Sequence, residues 1–196
     1  LKKRGKLWIG LLAGMAVSMF TPALVQDNGM AALAKKCKDG EPSHVSKYKA
    51  VKGASLDFAI KEPLAGKKGN AGDALKWMAH RRLGNCLACH KISKVVAMSK
   101  KTPYIVVAVK KNGKKVKMPL GFPGNIGPPL DGVGGRYTAG ELRMLVVDPK
   151  RDFPDTIMPA FHKNTGFLRV PKGCKGKAIL NEQQIEDIVA YLGTLK

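Results

Sequence analysis

The chain has 196 residues, 44% hydrophobic and 25% charged, with 35 Lys and Arg against 14 Asp and Glu. It is long enough for one domain with extensions and a buried core, and too mixed for a disordered tail or a polytopic membrane protein. A net charge of +21 draws acidic partners. The lysines are scattered rather than set on a base-reading helix, which argues against nucleic acid.

Lys2, Lys3, Arg4 and Lys6 lead into an apolar run over residues 7–20, the pattern of an export signal covering residues 1–34. The run falls short of the about 20 residues that span a bilayer, so no stable membrane anchor is expected. An uncleaved anchor is the alternative. Small-residue patterns place cleavage after Ala23 or after Ala34, and both stay open. Residues 35–69 carry many lysines and glycines with little periodicity, and read as an N-terminal arm wrapped over the domain.

Residues 70–84 predict a helix capped by Asn70, with Leu75, Met78 and Ala79 at helical spacing and Gly84 as the stop. Then comes Cys86-Leu87-Ala88-Cys89-His90, two cysteines three apart followed at once by histidine, the attachment pattern of a c-type haem. The thiols add across the porphyrin vinyl groups, and the histidine takes one axial position on the iron. A thioredoxin-like pair needs a βαβ setting, and zinc needs two more paired ligands; Cys37 and Cys174 are lone and distant. In an exported chain those two leftover cysteines suggest one disulfide, with two free thiols as the alternative.

Residues 104–109 are β-branched and apolar, Asn112-Gly113 is a hairpin signal, and residues 116–120 can return as a second strand. This predicts a lysine-edged hairpin in an insert at about 91–126. Thr138 with Glu141 and Asn181 with Gln184 form capping boxes for two further helices, the first closed by Pro149 and the second by Gly193. Between them lies a loop through Met158-Pro159.

The iron needs a sixth ligand or is open. Met78 and Met144 fall on helix faces and read as core. Met30 lies in the export segment, and Met98 sits too near the proximal site. Met118 and Met158 each precede a proline on a loop, and the Met158 loop is the one placed to drape over the opposite haem face. Met158 is therefore expected as the ligand; Met118, a histidine (His44, His80 or His162) or an open site are the alternatives.

Residues 70–84 before the Cys86-x-x-Cys89-His90 motif, Gly127-Pro128-Pro129-Leu130 with Gly135-Arg136, Met158-Pro159, and the final helix bearing Tyr191 resemble class I cytochrome c over about residues 70–196. The resemblance implies a mainly α fold, the class I cytochrome c fold, here with an inserted β-hairpin and an N-terminal arm. It implies one covalent haem c with His90 and Met158 on the iron. It also implies that the Pro128 carbonyl accepts the outer proton of His90 and that Arg136 partners a propionate.

Gly84 to His90, Gly124-Asn125-Ile126-Gly127-Pro128-Pro129-Leu130, Gly140-Glu141-Leu142-Arg143 and Asp155-Thr156-Ile157-Met158-Pro159-Ala160-Phe161-His162 together resemble SoxX, the monohaem subunit of SoxXA in thiosulfate oxidation. That likeness implies a periplasmic heterodimer with a SoxA-like cytochrome, which acts as an L-cysteine S-thiosulfotransferase on a sulfur-carrier protein. This chain would then be the electron-accepting subunit rather than the catalytic one, passing electrons to a soluble cytochrome. An independent periplasmic shuttle cytochrome, or a gas- or peroxide-reactive haem enzyme with a labile Met158, are the competing readings.

Overall fold

The computed structural model describes residues 45–108, 115–121, 124–168 and 174–196. The expected export signal with its cleavage sites, Met30, Cys37, His44 and the Asn112-Gly113 turn lie outside the described residues. In chain order the elements are β1 (Ala50–Lys52), β2 (Phe58–Ile60), α1 (Ala71–Met78), α2 (Ser93–Lys101), β3 (Tyr104–Ala108), β4 (Lys115–Pro119), α3 (Val133–Arg136), α4 (Ala139–Val147) and α5 (Glu182–Leu192). Short 3-10 turns stand at Leu64–Gly66, Cys86–Ala88 and Pro149–Arg151. The fold is mainly helical, with two separate two-stranded ribbons.

α5 is the frame. Ile185, Ile188, Val189 and Leu192 are buried along one stripe, and α1 and α4 pack on it. Both capping boxes exist: Thr138 Oγ1 accepts from Glu141 N–H and Asn181 Oδ1 from Gln184 N–H, each answered by the reciprocal side chain. The hairpin is present too, β3 and β4 pairing antiparallel with Ile105 opposite Met118.

Three expectations change. Helix α1 ends at Met78 instead of running to Gly84. Gly84 lets the chain fold back on the helix end. Its N–H reaches Trp77 O at 3.2 Å, and a Cβ there would come within 2.7 Å of the same oxygen. The arm, where described, is no mere wrapping. β1 and β2 pair with Val51 opposite Ala59, and Ile60 and Leu64 join the core, so packed structure begins well before residue 70. Strands of three residues are too short to show a period, which is why the sequence read as irregular. Helix α2, finally, was not foreseen. Ile92 offers no side-chain cap; Asp131 supplies it from afar, accepting from Ser93 N–H at 3.0 Å and from Ser93 Oγ at 2.9 Å. A cap so remote in sequence leaves no local signature.

Candidate haem-attachment site

Asn85 turns the chain in the left-handed region (φ 48°), and Cys86–Ala88 then close a 3-10 turn with Cys89 N–H on Cys86 O at 3.1 Å. In that geometry positions i and i+3 eclipse, so Cys86 and Cys89 project to one side. Neither is in a disulfide. Burial pushes the Cys86 thiol up to about 12.

A second strip of chain backs this turn. Gly124 N–H donates to Leu87 O, Gly127 N–H to Cys89 O and Leu130 N–H to Lys91 O, each at 2.9 Å. His90 lies between the strips, its Nδ1 2.7 Å from the Pro128 carbonyl oxygen. That contact puts the proton on Nδ1 and leaves Nε2 as a lone-pair donor. The ring is also seated from behind: a Cβ on Gly127 would come within 2.5 Å of His90 Cε1. Only glycine permits that approach. Two thiols on one face and an imidazole fixed by its other nitrogen suit a covalently attached haem.

The cytochrome c family model matches residues 78–196. The chain belongs to the cytochrome c family. That family implies covalently bound haem c. Among solved structures, the chain is similar to SoxXA from P. pantotrophus, at 37% identity and a TM-score of 0.57, covering 79% of this chain and 98% of that one. This likeness agrees with the resemblance to SoxX carried by the sequence motifs. No curated protein sequence matches the chain significantly.

The remaining candidates of this cytochrome fall in distinct places. Met78 and Met144 are fully buried in the core. Met118 is buried on β4. Met158 is half-buried against the core, and its N–H reaches Thr156 Oγ1 at 3.2 Å. Among the histidines, His80 Nδ1 accepts from Arg82 N–H at 3.1 Å, and His162 has both ring nitrogens engaged within the protein. That leaves His162 no lone pair for iron. The Arg136 guanidinium donates to the Asp131 and Pro129 carbonyls at 2.9 and 3.4 Å, which ties it to the strip behind His90.

Ile126 and Ile157, one beside Pro128's loop and one beside Met158, are 67% and 81% exposed. Sequence reasoning passed over Asp131 and Lys150, and named Gly124 in a motif without giving it a role. Lys150 Nζ holds the Thr156 carbonyl at 2.7 Å and so braces the Met158 loop. Nothing local marks these roles, because each partner lies on another segment. Among the described residues, no helix is long and apolar enough to cross a membrane.

Proposed function

We propose that this cytochrome is the haem subunit of a SoxXA-type complex in thiosulfate oxidation, located in the periplasm. It would pair with a SoxA-like cytochrome, serve a sulfur-carrier protein through that complex, and pass electrons to a soluble acceptor. The observation that carries the reading is the Cys86, Cys89 and His90 constellation backed by Pro128, set within a chain 37% identical to SoxXA from P. pantotrophus.

The group involved is one haem c, which when bound supplies a one-electron iron couple. Cys86 and Cys89 would hold it by thioether bonds, and His90 Nε2, its lone pair left available, would bind the iron. Met158 would supply a second ligand; a thioether there would favour the reduced state relative to a second imidazole. Arg136 would partner a propionate, its unused N–H groups neutralising the carboxylate. A Cys37–Cys174 disulfide completes the set: Cys174 is not a free thiol, and Cys37 lies outside the described residues. With His90 and Met158 both committed to the iron, the chain would offer thiosulfate no bond to it and would act as electron acceptor only.

Two measurements test this. The oxidised protein should show the weak sulfur-to-iron band in the near infrared, lost in Met158→Ala and kept in Met118→Ala. The purified cytochrome should show no thiosulfate-dependent turnover until a SoxA-like partner is added. Turnover by the isolated chain at the rate of the mixture would overturn the subunit reading.

A further inference from the structure

The loop that carries Met158 ends on a buried polar cluster. His162 is 0% exposed. Its Nδ1 lies 2.9 Å from the Leu180 carbonyl, and its Nε2 accepts from Ser46 N–H at 3.1 Å. One contact needs a donor and the other an acceptor, so the ring is the neutral tautomer with its proton on Nδ1. Glu182 Oε1 stands 3.9 Å from Nε2 and takes the Ser46 hydroxyl.

The main chain is tied down at the same point. Phe161 and His162 N–H groups reach Val146 and Val147 O at 3.2 and 3.3 Å, satisfying carbonyls at the open end of α4. Leu180 N–H reaches Phe161 O at 2.9 Å, and Lys163 pairs with the buried Asp148 at 3.0 Å. The upstream end is held differently, by the exposed Lys150 contact to Thr156 O. Met158 thus hangs between a solvent-exposed brace and one centred on the buried His162.

We propose that His162 is a positioning residue for Met158, and that Ser46, which lies outside the residues matched by the cytochrome c family model, completes the pin. This rests on the reading of Met158 as iron ligand. A buried imidazole with both nitrogens engaged has one orientation, so the chain four residues earlier leaves it in one direction. Without the pin, the loop samples positions in which the thioether is off the iron, and the fraction of such states sets how readily an outside ligand enters. The N-terminal segment would then govern iron access through a histidine that never touches the haem.

The test uses the full-length holoprotein with its covalent haem content verified, far below its melting temperature. The near-infrared band and the affinity of the ferric protein for imidazole are measured in wild type, His162→Ala, His162→Gln, Ser46→Ala and Leu64→Ala. His162→Ala should keep its covalent haem, lose about half or more of the band, and bind imidazole about ten-fold more tightly. His162→Gln keeps an acceptor for Ser46 N–H and should fall between. Leu64→Ala removes core packing elsewhere, and should lower the melting temperature without moving band or imidazole affinity.

A wild type that shows the band, beside a His162→Ala protein with unchanged band and affinity, overturns the positioning role and leaves Met158 as ligand. If His162→Ala does not fold, His162→Gln and Ser46→Ala decide, and wild-type behaviour in both overturns it. A wild type without the band removes the Met158 reading and this inference with it.

Discussion

The two sides of the molecule are held together by different chemistry. On the attachment side, residues 87–91 and 124–130 are joined by main-chain hydrogen bonds, with His90 and Asp131 as the side chains that cross between them. On the scaffold side, α4, α5 and residues 46–77 are joined by buried charge. Arg143 Nε and Nη2 meet Glu186 at 2.7 and 2.8 Å, and Glu186 also accepts from Leu64 N–H at 2.9 Å. Asp187 takes Asn70 N–H at 2.8 Å and Trp77 Nε1 at 2.9 Å.

A main-chain ladder positions a ring without enclosing its neighbours, and Ile126 on the attachment side is 67% exposed. The scaffold closes on itself. It also draws acids inward: Glu141, Asp148, Glu182, Glu186 and Asp187 are buried, against Arg143 among the basic residues described. The lysines stay outside, so the surface is more basic than the net charge alone conveys, and encounter with an acidic partner is favoured accordingly.

The largest expected effect falls on the attachment side. Replacing both Cys86 and Cys89 by alanine should abolish covalent haem, read by haem staining after denaturing electrophoresis. Because a bound haem would add buried apolar surface on this side, that variant should also accumulate poorly, while the scaffold retains helical signal in circular dichroism. Full covalent haem in the double variant would break the comparison at its root.

Next is the scaffold's ion pair. Arg143→Ala leaves Glu186 buried and uncompensated, and should cost about 3–5 kcal/mol in denaturant unfolding of the holoprotein. Arg143→Met with Glu186→Leu together should cost much less, since no charge is stranded. Equal losses in single and double variants would show that the pair contributes more than its own desolvation.

How much of this was legible depends on range. The Cys86-x-x-Cys89-His90 motif, both capping boxes and the β3–β4 hairpin were readable because each is written within a few consecutive residues. Helix α2 was missed since its cap is Asp131, and the packed strands at residues 50–60 since three residues carry no period. The acids of α5 are a further case. Glu182, Glu186 and Asp187 carry no local sign of burial, yet all are buried, their partners being supplied by segments more than a hundred residues earlier or by α4. Local chemistry is visible in sequence; charge buried by distant segments is not.

A smaller effect concerns the seating of His90. In Gly127→Ala the new methyl would stand within 2.5 to 2.9 Å of three ring atoms, so either the strip or the imidazole must move. Moving the ring lengthens its 2.7 Å contact to Pro128 O, weakening the hold on the ring's orientation. The expected cost is about 1–3 kcal/mol in stability, with a shifted reduction potential in a redox titration. A variant with both quantities unchanged would mean that the ring is not tightly seated.

The smallest effect at neutral pH concerns Glu141, and it separates the two sides by their response to acid. Burial alone would raise this carboxyl, but N–H groups of Thr138, Ser55 and Leu56 and the Thr138 hydroxyl all point at it and hold it down at about 2. A depressed carboxyl binds its proton more weakly folded than unfolded. Its stabilisation is therefore complete above the ordinary carboxylate range, near 4.3, and is lost as pH falls from there towards 2. Glu141→Gln keeps the shape but not the charge, and should lower the melting temperature by about 2–4 °C at pH 7. The gap between variant and wild type should then shrink below about pH 4 and close near pH 2. Because Glu141 ties α4 to residues 55–56, loss of amide protection on acidification should start there, with the ladder at residues 87–91 and 124–130 responding later. A pH-independent gap between the two melting curves would show that Glu141 acts through packing rather than through its charge.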